Sequence, residues 1–258
     1  MIVTQPLVSL LQIAFPIVVA IWFIRRYRVS WWVVFAGAAA FLLSQVLHIP
    51  FNSAVQPLVA SSVPQSLRVI SISIFLGLSA GLFEETARAV CYALLKNRAR
   101  FWQGGVALGI GHGGAESAIF VGLAGLITFI NLLVIRGNPQ LVQGNAEAQI
   151  QVNAFWATAG YLPFVGLAER LMTFVIQIGM SLLVLQAFLR HNAVWYVAAV
   201  VWHALIDASA AYIGQSGGSI FVIEGLVLVF ALISAWFIWK LKPRALTAAT
   251  SDQNVSRV

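Results

Sequence analysis

Ten ionisable side chains lie within stretches of sequence that are otherwise apolar, and they are the residues best placed to do chemistry. A charged side chain near the centre of a membrane helix costs about 2.5–3.5 kcal/mol on insertion scales, so such residues usually mark a functional site. The alternative is that they pair with one another as a purely structural network. The ten are Glu84, Glu85, Arg88, Glu116, Glu169, Arg170, Asp207, His48, His112 and His203.

In three of the apolar stretches, an acidic and a basic side chain lie three or four residues apart. Residues three or four apart share one face of a helix and can interact there. A carboxylate beside an imidazole fixes the tautomer of the ring and strengthens it as a base or as a metal ligand. The groups with this spacing are Glu84 and Glu85 with Arg88, His112 with Glu116, and His203 with Asp207.

The elements that must position these side chains are predicted to be transmembrane helices. The 258 residues are 60% hydrophobic and 9% charged, whereas soluble domains carry roughly 25% charged residues. Apolar runs long enough to cross a bilayer predict an all-α polytopic bundle of about seven transmembrane helices. This bundle forms a single membrane-embedded domain over residues 1–245, and a polar, disordered cytoplasmic tail follows over 246–258. The runs are 7–24, 31–50, 68–95, 102–134, 161–189, 193–213 and 219–241.

The basic residues of the connecting segments predict the orientation of the bundle. Alternate loops and the tail hold most of them, and the opposite loops hold only Arg68 and Arg136. By the positive-inside rule the N-terminus lies outside and the C-terminus is cytoplasmic. The same residues account for the net charge of +7, so no nucleic-acid partner is predicted. The basic set is Arg25, Arg26, Arg28, Lys96, Arg98, Arg100, Arg190, Lys240, Lys242, Arg244 and Arg257.

Four of the ten residues are predicted to lie at the same depth in the membrane. Counted from the predicted cytoplasmic ends, Glu84 and Glu85, His112 and His203 lie about 15–18 Å along three different helices at roughly 1.5 Å per residue. A carboxylate pair and two imidazoles near the midplane favour activation of a water molecule, and therefore hydrolysis within the membrane.

Other intramembrane hydrolase patterns are missing from the sequence. It contains no His-Glu-x-x-His motif, and Asp207 is the one aspartate in any predicted span, which excludes an aspartyl dyad. A Gly-x-Ser-Gly match at 214–217 lies in a predicted outer loop with no histidine after it. We therefore treat the match around Ser216 as chance.

The remaining motifs resemble a known family. Segment 84–88 (Glu-Glu-Thr-Ala-Arg) matches the Glu-Glu-x-x-x-Arg signature of the CAAX-protease and bacteriocin-processing superfamily. His112 resembles its second motif, and 203–207 (His-Ala-Leu-Ile-Asp) its His-x-x-x-Asn/Asp motif. Segment 109–116, with Gln-x-x-His-x-Pro at 45–50, resembles more specifically the YhfC branch of intramembrane metalloproteases. The resemblance covers the second to sixth predicted spans and implies a protease of a prokaryotic plasma membrane.

The resemblance implies roles for the matching residues, and two mechanisms stay open. In one, a glutamate and a histidine activate the attacking water; in the other, two imidazoles and a carboxylate hold Zn²⁺ with water in an open position. Gln177 and Leu108 depart from the family pattern, which suggests histidine and phenylalanine there. The implied roles are water activation by Glu84 with His112, orientation by Glu85 and Arg88, and oxyanion stabilisation by His203 and Asp207. The zinc ligands would be His112, His203 and Glu84, and the secondary site residues are Glu116, Gln45, His48 and Glu169.

Two other functions remain possible. The same buried acids and histidines could form the relay of a proton-coupled transporter, although the odd span count and the lack of an internal repeat argue against one. A catalytically inactive membrane scaffold or immunity factor of the same fold is the other alternative. For the protease we expect a mid-membrane cavity open to the cytoplasm, with the lipid bilayer and a peptide or membrane-protein substrate as partners.

Overall fold

The computed structural model describes residues 1–243, and all the regular secondary structure in that range is helical. The predicted tail at 246–258 lies outside the described residues. Short 3₁₀ turns at Gln65–Leu67, Lys96–Arg98 and Pro139–Val142 join some of the helices. The α-helices are α1 (Thr4–Tyr27), α2 (Trp31–Ser62), α3 (Arg68–Leu95), α4 (Trp102–Ala115), α5 (Ala124–Gly137), α6 (Ala146–Ala157), α7 (Leu162–Leu189), α8 (Val194–Gln215) and α9 (Ile220–Lys240).

Within residues 1–243, seven helical segments are long and apolar enough to cross a membrane, which confirms the predicted polytopic bundle. The end of the bundle that carries Arg28, Lys96 and Arg190 is called the basic-loop face below, and the end that carries Ser62 and Gly137 the opposite face. The orientation of these two faces in the membrane stays a prediction. The segments are Thr4–Tyr27, Trp31–Ser62, Gln65–Arg98, Trp102–Gly137, Leu162–Leu189, Val194–Gln215 and Ile220–Lys240.

Helix α2 is longer than the sequence suggested, and the predicted end at residue 50 is wrong. The helix runs through Pro50 and Pro57 to Ser62. Prolines are tolerated in membrane helices because neighbouring groups satisfy the backbone carbonyls that they free. The helix ends where Val63 adopts extended backbone angles (φ −123°, ψ 151°), as expected for a residue that precedes a proline.

The fourth span changes its helical pitch where the site lies. Helix α4 ends at Ala115, and a π-helical segment over Glu116–Leu123 leads into α5. Such wide i→i+5 turns are rare and occur frequently at functional sites. The span is therefore continuous, and the irregularity follows its glycine-rich stretch.

Glycines on facing helices bring α2 and α4 into backbone contact. A Cβ atom added at Gly111 would lie 1.9 Å from the Val34 carbonyl oxygen, and one at Gly37 would lie 2.1 Å from the Leu108 carbonyl oxygen. Helix α3 packs in a similar way on α8 through Gly81. These close approaches join α2 to α4 and α3 to α8, and the functional side chains meet between these four helices.

The two halves of the bundle are filled differently. The basic-loop half holds the main apolar core, in which the Tyr92 ring is fully buried and its hydroxyl group donates a hydrogen bond to the Ser181 carbonyl. Helix α6 follows the fourth span on the opposite half, and its Trp156 ring packs on Phe129. Core members include Phe23, Ile24, Val29, Val33, Ala99, Val106, Leu182, Leu183 and Leu185.

Candidate functional site

A glutamate–histidine pair lies at the centre of the bundle. Glu84 Oε2 on α3 is 2.9 Å from His112 Nε2 on α4. The second carboxylate oxygen, Oε1, accepts a hydrogen bond of 2.9 Å from the Gln45 side chain on α2. All three side chains are buried, and His112 is 0% exposed. Each oxygen of Glu84 therefore has its own partner, and the two partners fix the plane of the carboxylate.

A second histidine lies beside this pair, held by two acids. His203 Nδ1 on α8 is 2.7 Å from Glu85 Oε1, which also accepts a hydrogen bond from the Arg88 guanidinium. The other ring nitrogen, Nε2, is 3.4 Å from Asp207 Oδ2 and 3.9 Å from Glu84 Oε2. The structure thus brings the four residues predicted to share one depth, Glu84, Glu85, His112 and His203, into a single buried cluster.

The observed pairing of charges agrees with the predicted one at Arg88 and differs from it at His112. Both glutamates were within predicted reach of Arg88, and the structure pairs it with Glu85. The predicted pairing of His112 with Glu116 is wrong, because Glu116 begins the wide π-helical turn and its carboxylate faces α7. His112 Nδ1 consequently has no hydrogen-bond partner among the described residues.

A chain of polar contacts extends from the cluster to the other half of the bundle. The Arg88 guanidinium donates to Gln177 Oε1, and Gln177 Nε2 donates to Glu116 Oε2 at 2.6 Å. Glu116 Oε1 accepts a hydrogen bond of 2.8 Å from Arg170, which also contacts Glu169. Sequence reasoning did not find that Gln177 joins the two acidic groups. The available signal was that Gln177 lies seven residues, or two helical turns, after Arg170 and therefore on the same face of the helix.

His48 belongs to a separate polar group. Its Nε2 atom lies 3.0 Å from Ser79 Oγ and 2.8 Å from the Asn52 side-chain amide, and its ring stacks on Phe83. None of these partners belongs to the central cluster. His48 lies one helical turn from Gln45, so it borders the cluster without contacting Glu84 through a described hydrogen bond.

A cavity of about 130 Å³ adjoins the cluster. At roughly 30 Å³ per liquid water molecule this volume has room for about four waters. Arg170 lies near the start of α7, Ala210 in the second half of α8, and Val227 near the start of α9, so the cavity extends toward the opposite face. The lining residues include Glu84, Glu116, Glu169, Arg170, Thr173, Gln177, His203, Asp207, Ala210 and Val227.

The cavity extends away from the basic loops, so its predicted opening toward the cytoplasm conflicts with the predicted orientation of the bundle. The side of the membrane that the cavity faces stays a prediction. The basic-loop half of the bundle is occupied by the apolar core around Tyr92. The ionisable residues of α7 and α8 lie at the middle of the bundle or in the half near the opposite face. The half near the basic loops is therefore left to apolar side chains.

The donor atoms fit zinc in type, although they are hydrogen-bonded to one another. The Nε2 atoms of His112 and His203 lie 2.9 and 3.9 Å from the same Glu84 oxygen, and ligands of a tetrahedral zinc lie roughly 3.3 Å apart. Glu85 behind His203 resembles the carboxylate that supports a metal-bound histidine. Over residues 1–243, however, no group of three or more His, Cys, Asp or Glu side chains is arranged as a metal cluster.

Comparison with known proteins shows the family to which the chain belongs. A family model described as "YhfC intramembrane metalloprotease" matches residues 11–227, which include the whole cluster. The chain belongs to the YhfC family. A similar YhfC protein is the "Uncharacterized membrane protein YhfC" of Bacillus subtilis (strain 168), 28% identical over 235 residues, which are 88% of this chain and 91% of the relative. No solved structure matches the chain. The YhfC match and the seven apolar spans confirm an integral membrane protein.

Proposed function

We propose that this YhfC family member is an intramembrane endopeptidase in which Glu84 and His112 activate the attacking water. The observation that carries the proposal is the 2.9 Å contact between Glu84 Oε2 and His112 Nε2, beside a cavity with room for water. A glutamate held by two donors at mid-span is a suitable general base for a water molecule. The family description, intramembrane metalloprotease, supports peptide-bond hydrolysis.

Glu84 takes a proton from a water molecule in the cavity as the water oxygen bonds to the carbonyl carbon of the substrate. His112 and Gln45 keep the carboxylate facing the cavity during this step, because each already holds one of its oxygens. When the C–N bond breaks, the proton on Glu84 passes to the leaving amine. The products are a new carboxyl group and a new amino group, so the reaction consumes one water.

His203 is placed to stabilise the oxyanion that develops on the substrate carbonyl during attack. Glu85 accepts at Nδ1 and Asp207 faces Nε2 at 3.4 Å, so the doubly protonated imidazolium has a carboxylate partner on each nitrogen. The partly exposed Asp207 carboxylate can move aside and leave the fixed Nε2–H group to a developing oxyanion in the cavity, where a preoriented donor is most effective. Arg88 holds Glu85 in place and thereby fixes the ring of His203.

A zinc-dependent peptidase is the second candidate, favoured by the convergence of two Nε2 atoms on Glu84 Oε2. His112, His203 and Glu84 would hold the ion. Bound zinc would supply a Lewis acid and an activated water at neutral pH. In that case Glu85 would support His203 as a ligand rather than as an oxyanion donor.

Two observations favour an enzyme over the other candidate functions. A proton-coupled transporter needs a polar route to both faces, and the basic-loop half of the bundle is filled by the apolar core. An inactive scaffold needs neither a cavity nor clustered catalytic side chains, and both are present. The Glu-Glu-x-x-x-Arg resemblance to the CAAX-protease and bacteriocin-processing superfamily supports the same proposal. The substrate is a peptide or a membrane-protein segment that reaches mid-membrane depth.

The proposal is tested by incubating purified protein with a peptide library and identifying new N-termini by mass spectrometry. We expect cleavage by the wild type, and its loss in Glu84→Gln and in His112→Ala. Glu147→Gln is the matched control, because Glu147 is exposed on α6 far along the chain from the cluster. Ser216→Ala should also cleave normally. Loss of cleavage in Ser216→Ala, or full cleavage by Glu84→Gln, would refute the proposal.

A further inference from the structure

The basic-loop face carries many cations and, among the residues that the structure describes, no acid. The seven acidic side chains of residues 1–243 lie at mid-span or on the opposite half of the bundle. Anionic lipids are the usual counter-charge for such a face, since each juxtamembrane Lys or Arg contributes about 1 kcal/mol of attraction to an anionic surface. The cations are Arg25, Arg26, Arg28, Lys96, Arg98, Arg100, Arg190, Lys240 and Lys242.

A surface groove on α1 joins two of these cations to an apolar wall. This groove, which we call the interfacial groove, has a volume of about 580 Å³. It is lined by Val18, Ile21, Trp22, Arg25 and Arg26. These positions recur every three or four residues, so they share one face of the helix. The guanidinium groups lie at the basic-loop end, and the apolar wall extends inward for roughly 10 Å at 1.5 Å per residue.

The two arginines of the interfacial groove differ in their partners from Arg100 and Arg190 of the same face. Arg100 donates to the Tyr92 carbonyl at 2.9 Å, and Arg190 donates to a side-chain oxygen at 2.9 Å. Arg26 instead lies over the Tyr27 ring, 5.5 Å from its centroid. Arg25 lines the groove and, like Arg26, is exposed. Both guanidinium groups therefore keep donors for an outside anion.

We propose that the interfacial groove binds one anionic phospholipid. The phosphate lies between Arg25 and Arg26, because guanidinium groups match phosphate oxygens with paired hydrogen bonds. One acyl chain lies along the wall formed by Trp22, Ile21 and Val18. Trp22 is 58% exposed and stands at the level where tryptophan rings contact lipid headgroups. This site does not depend on the proposed peptidase activity.

The test is a titration of detergent-purified, full-length protein with phosphatidylglycerol or phosphatidylcholine of identical acyl chains, with bound lipid counted by native mass spectrometry. We expect the wild type to retain one phosphatidylglycerol more tightly than phosphatidylcholine. The double variant Arg25→Gln/Arg26→Gln should weaken phosphatidylglycerol binding by about 25-fold, on the scale of about 1 kcal/mol per basic residue and 1.4 kcal/mol per factor of ten.

The matched control is Lys96→Gln/Arg98→Gln, which removes the same charge from the same face outside the groove. This control should change binding far less, because screening over about 8 Å at physiological salt weakens distant charges. If the arginine variant does not fold, Val18→Trp tests the site independently by filling the apolar wall while keeping both cations, and it should lower retention of the long-chain lipid. Equal binding of both lipids, equal losses in both double variants, or displacement of the lipid by inorganic phosphate would overturn the proposal.

Discussion

The backbone contact at Gly111 allows a quantitative test of how the cluster is held together. A Cβ atom there would lie 1.9 Å from the Val34 carbonyl oxygen, whereas Cβ contacts below 3.0 Å essentially never occur. Gly111→Ala must therefore part the backbones of α2 and α4 by about 1 Å, since close-packed interiors cannot absorb the overlap. Overpacking of this kind costs about 1–3 kcal/mol, against a gain of about 1 kcal/mol from replacing glycine in a helix.

The displacement should also reach the chemistry, because His112 is the next residue along α4. A misplacement of about 1 Å can reduce the rate of an enzyme by about 100-fold. The matched control is Gly225→Ala on α9, where an added Cβ meets nothing within 4 Å. This control carries the same gain in helix propensity without the overlap.

Thermal unfolding in detergent and the peptide-library assay together measure both effects. Gly111→Ala should unfold at a lower temperature than the wild type and cleave about 100-fold more slowly. Gly225→Ala should match the wild type in cleavage and equal or exceed it in unfolding temperature. A Gly111→Ala variant as stable and as active as the wild type would show that the glycine contact does not position the site.

Three further predictions concern the network around the cluster. Arg88→Gln removes the guanidinium from the buried Glu85 carboxylate and leaves the carboxylate only the His203 ring as a partner, so thermal unfolding should show a loss of up to about 3–5 kcal/mol; an unchanged unfolding temperature would contradict the pairing. Gln177→Leu removes the acceptor of Arg88 and the donor of Glu116, and each unpaired buried group costs about 1–3 kcal/mol. Gln177→His can still donate and accept, so it should unfold above Gln177→Leu, and the reverse order would refute the bridge. For the zinc-dependent candidate, elemental analysis should find one zinc per wild-type chain, lost in His112→Ala and kept in the loop variant His191→Ala; retention in His112→Ala would exclude that ligand.

Much of the architecture followed from hydrophobicity alone. Apolar runs between basic or polar loops predicted all seven spans, because apolar and charged residues differ strongly in their free energy of transfer from water to hydrocarbon. The predicted end of α2 was wrong because the predicted run stopped at Pro50, whereas membrane helices tolerate prolines and this one continues to Ser62. The π-helical turn after Ala115 has no clear sequence signal. The direction in which the Glu116 side chain points could therefore not be predicted.

The central cluster was predictable because depth in a membrane is a one-dimensional quantity. Counting residues from the loops placed Glu84, His112 and His203 at one level, and in the structure the two imidazoles lie 2.9 and 3.9 Å from the same Glu84 oxygen. Which acid pairs with which base could not be predicted, since that depends on the rotation of each helix about its axis. The direction of the cavity depends in the same way on how side chains fill the two halves of the bundle.

The most direct test of the central claim is cleavage of a peptide substrate in water enriched in ¹⁸O. If Glu84 activates water for peptide hydrolysis, the wild type should release products whose new carboxyl terminus carries one ¹⁸O atom, and Glu84→Gln should release none. Products that lack the label, or labelled products formed equally by Glu84→Gln, would contradict the account.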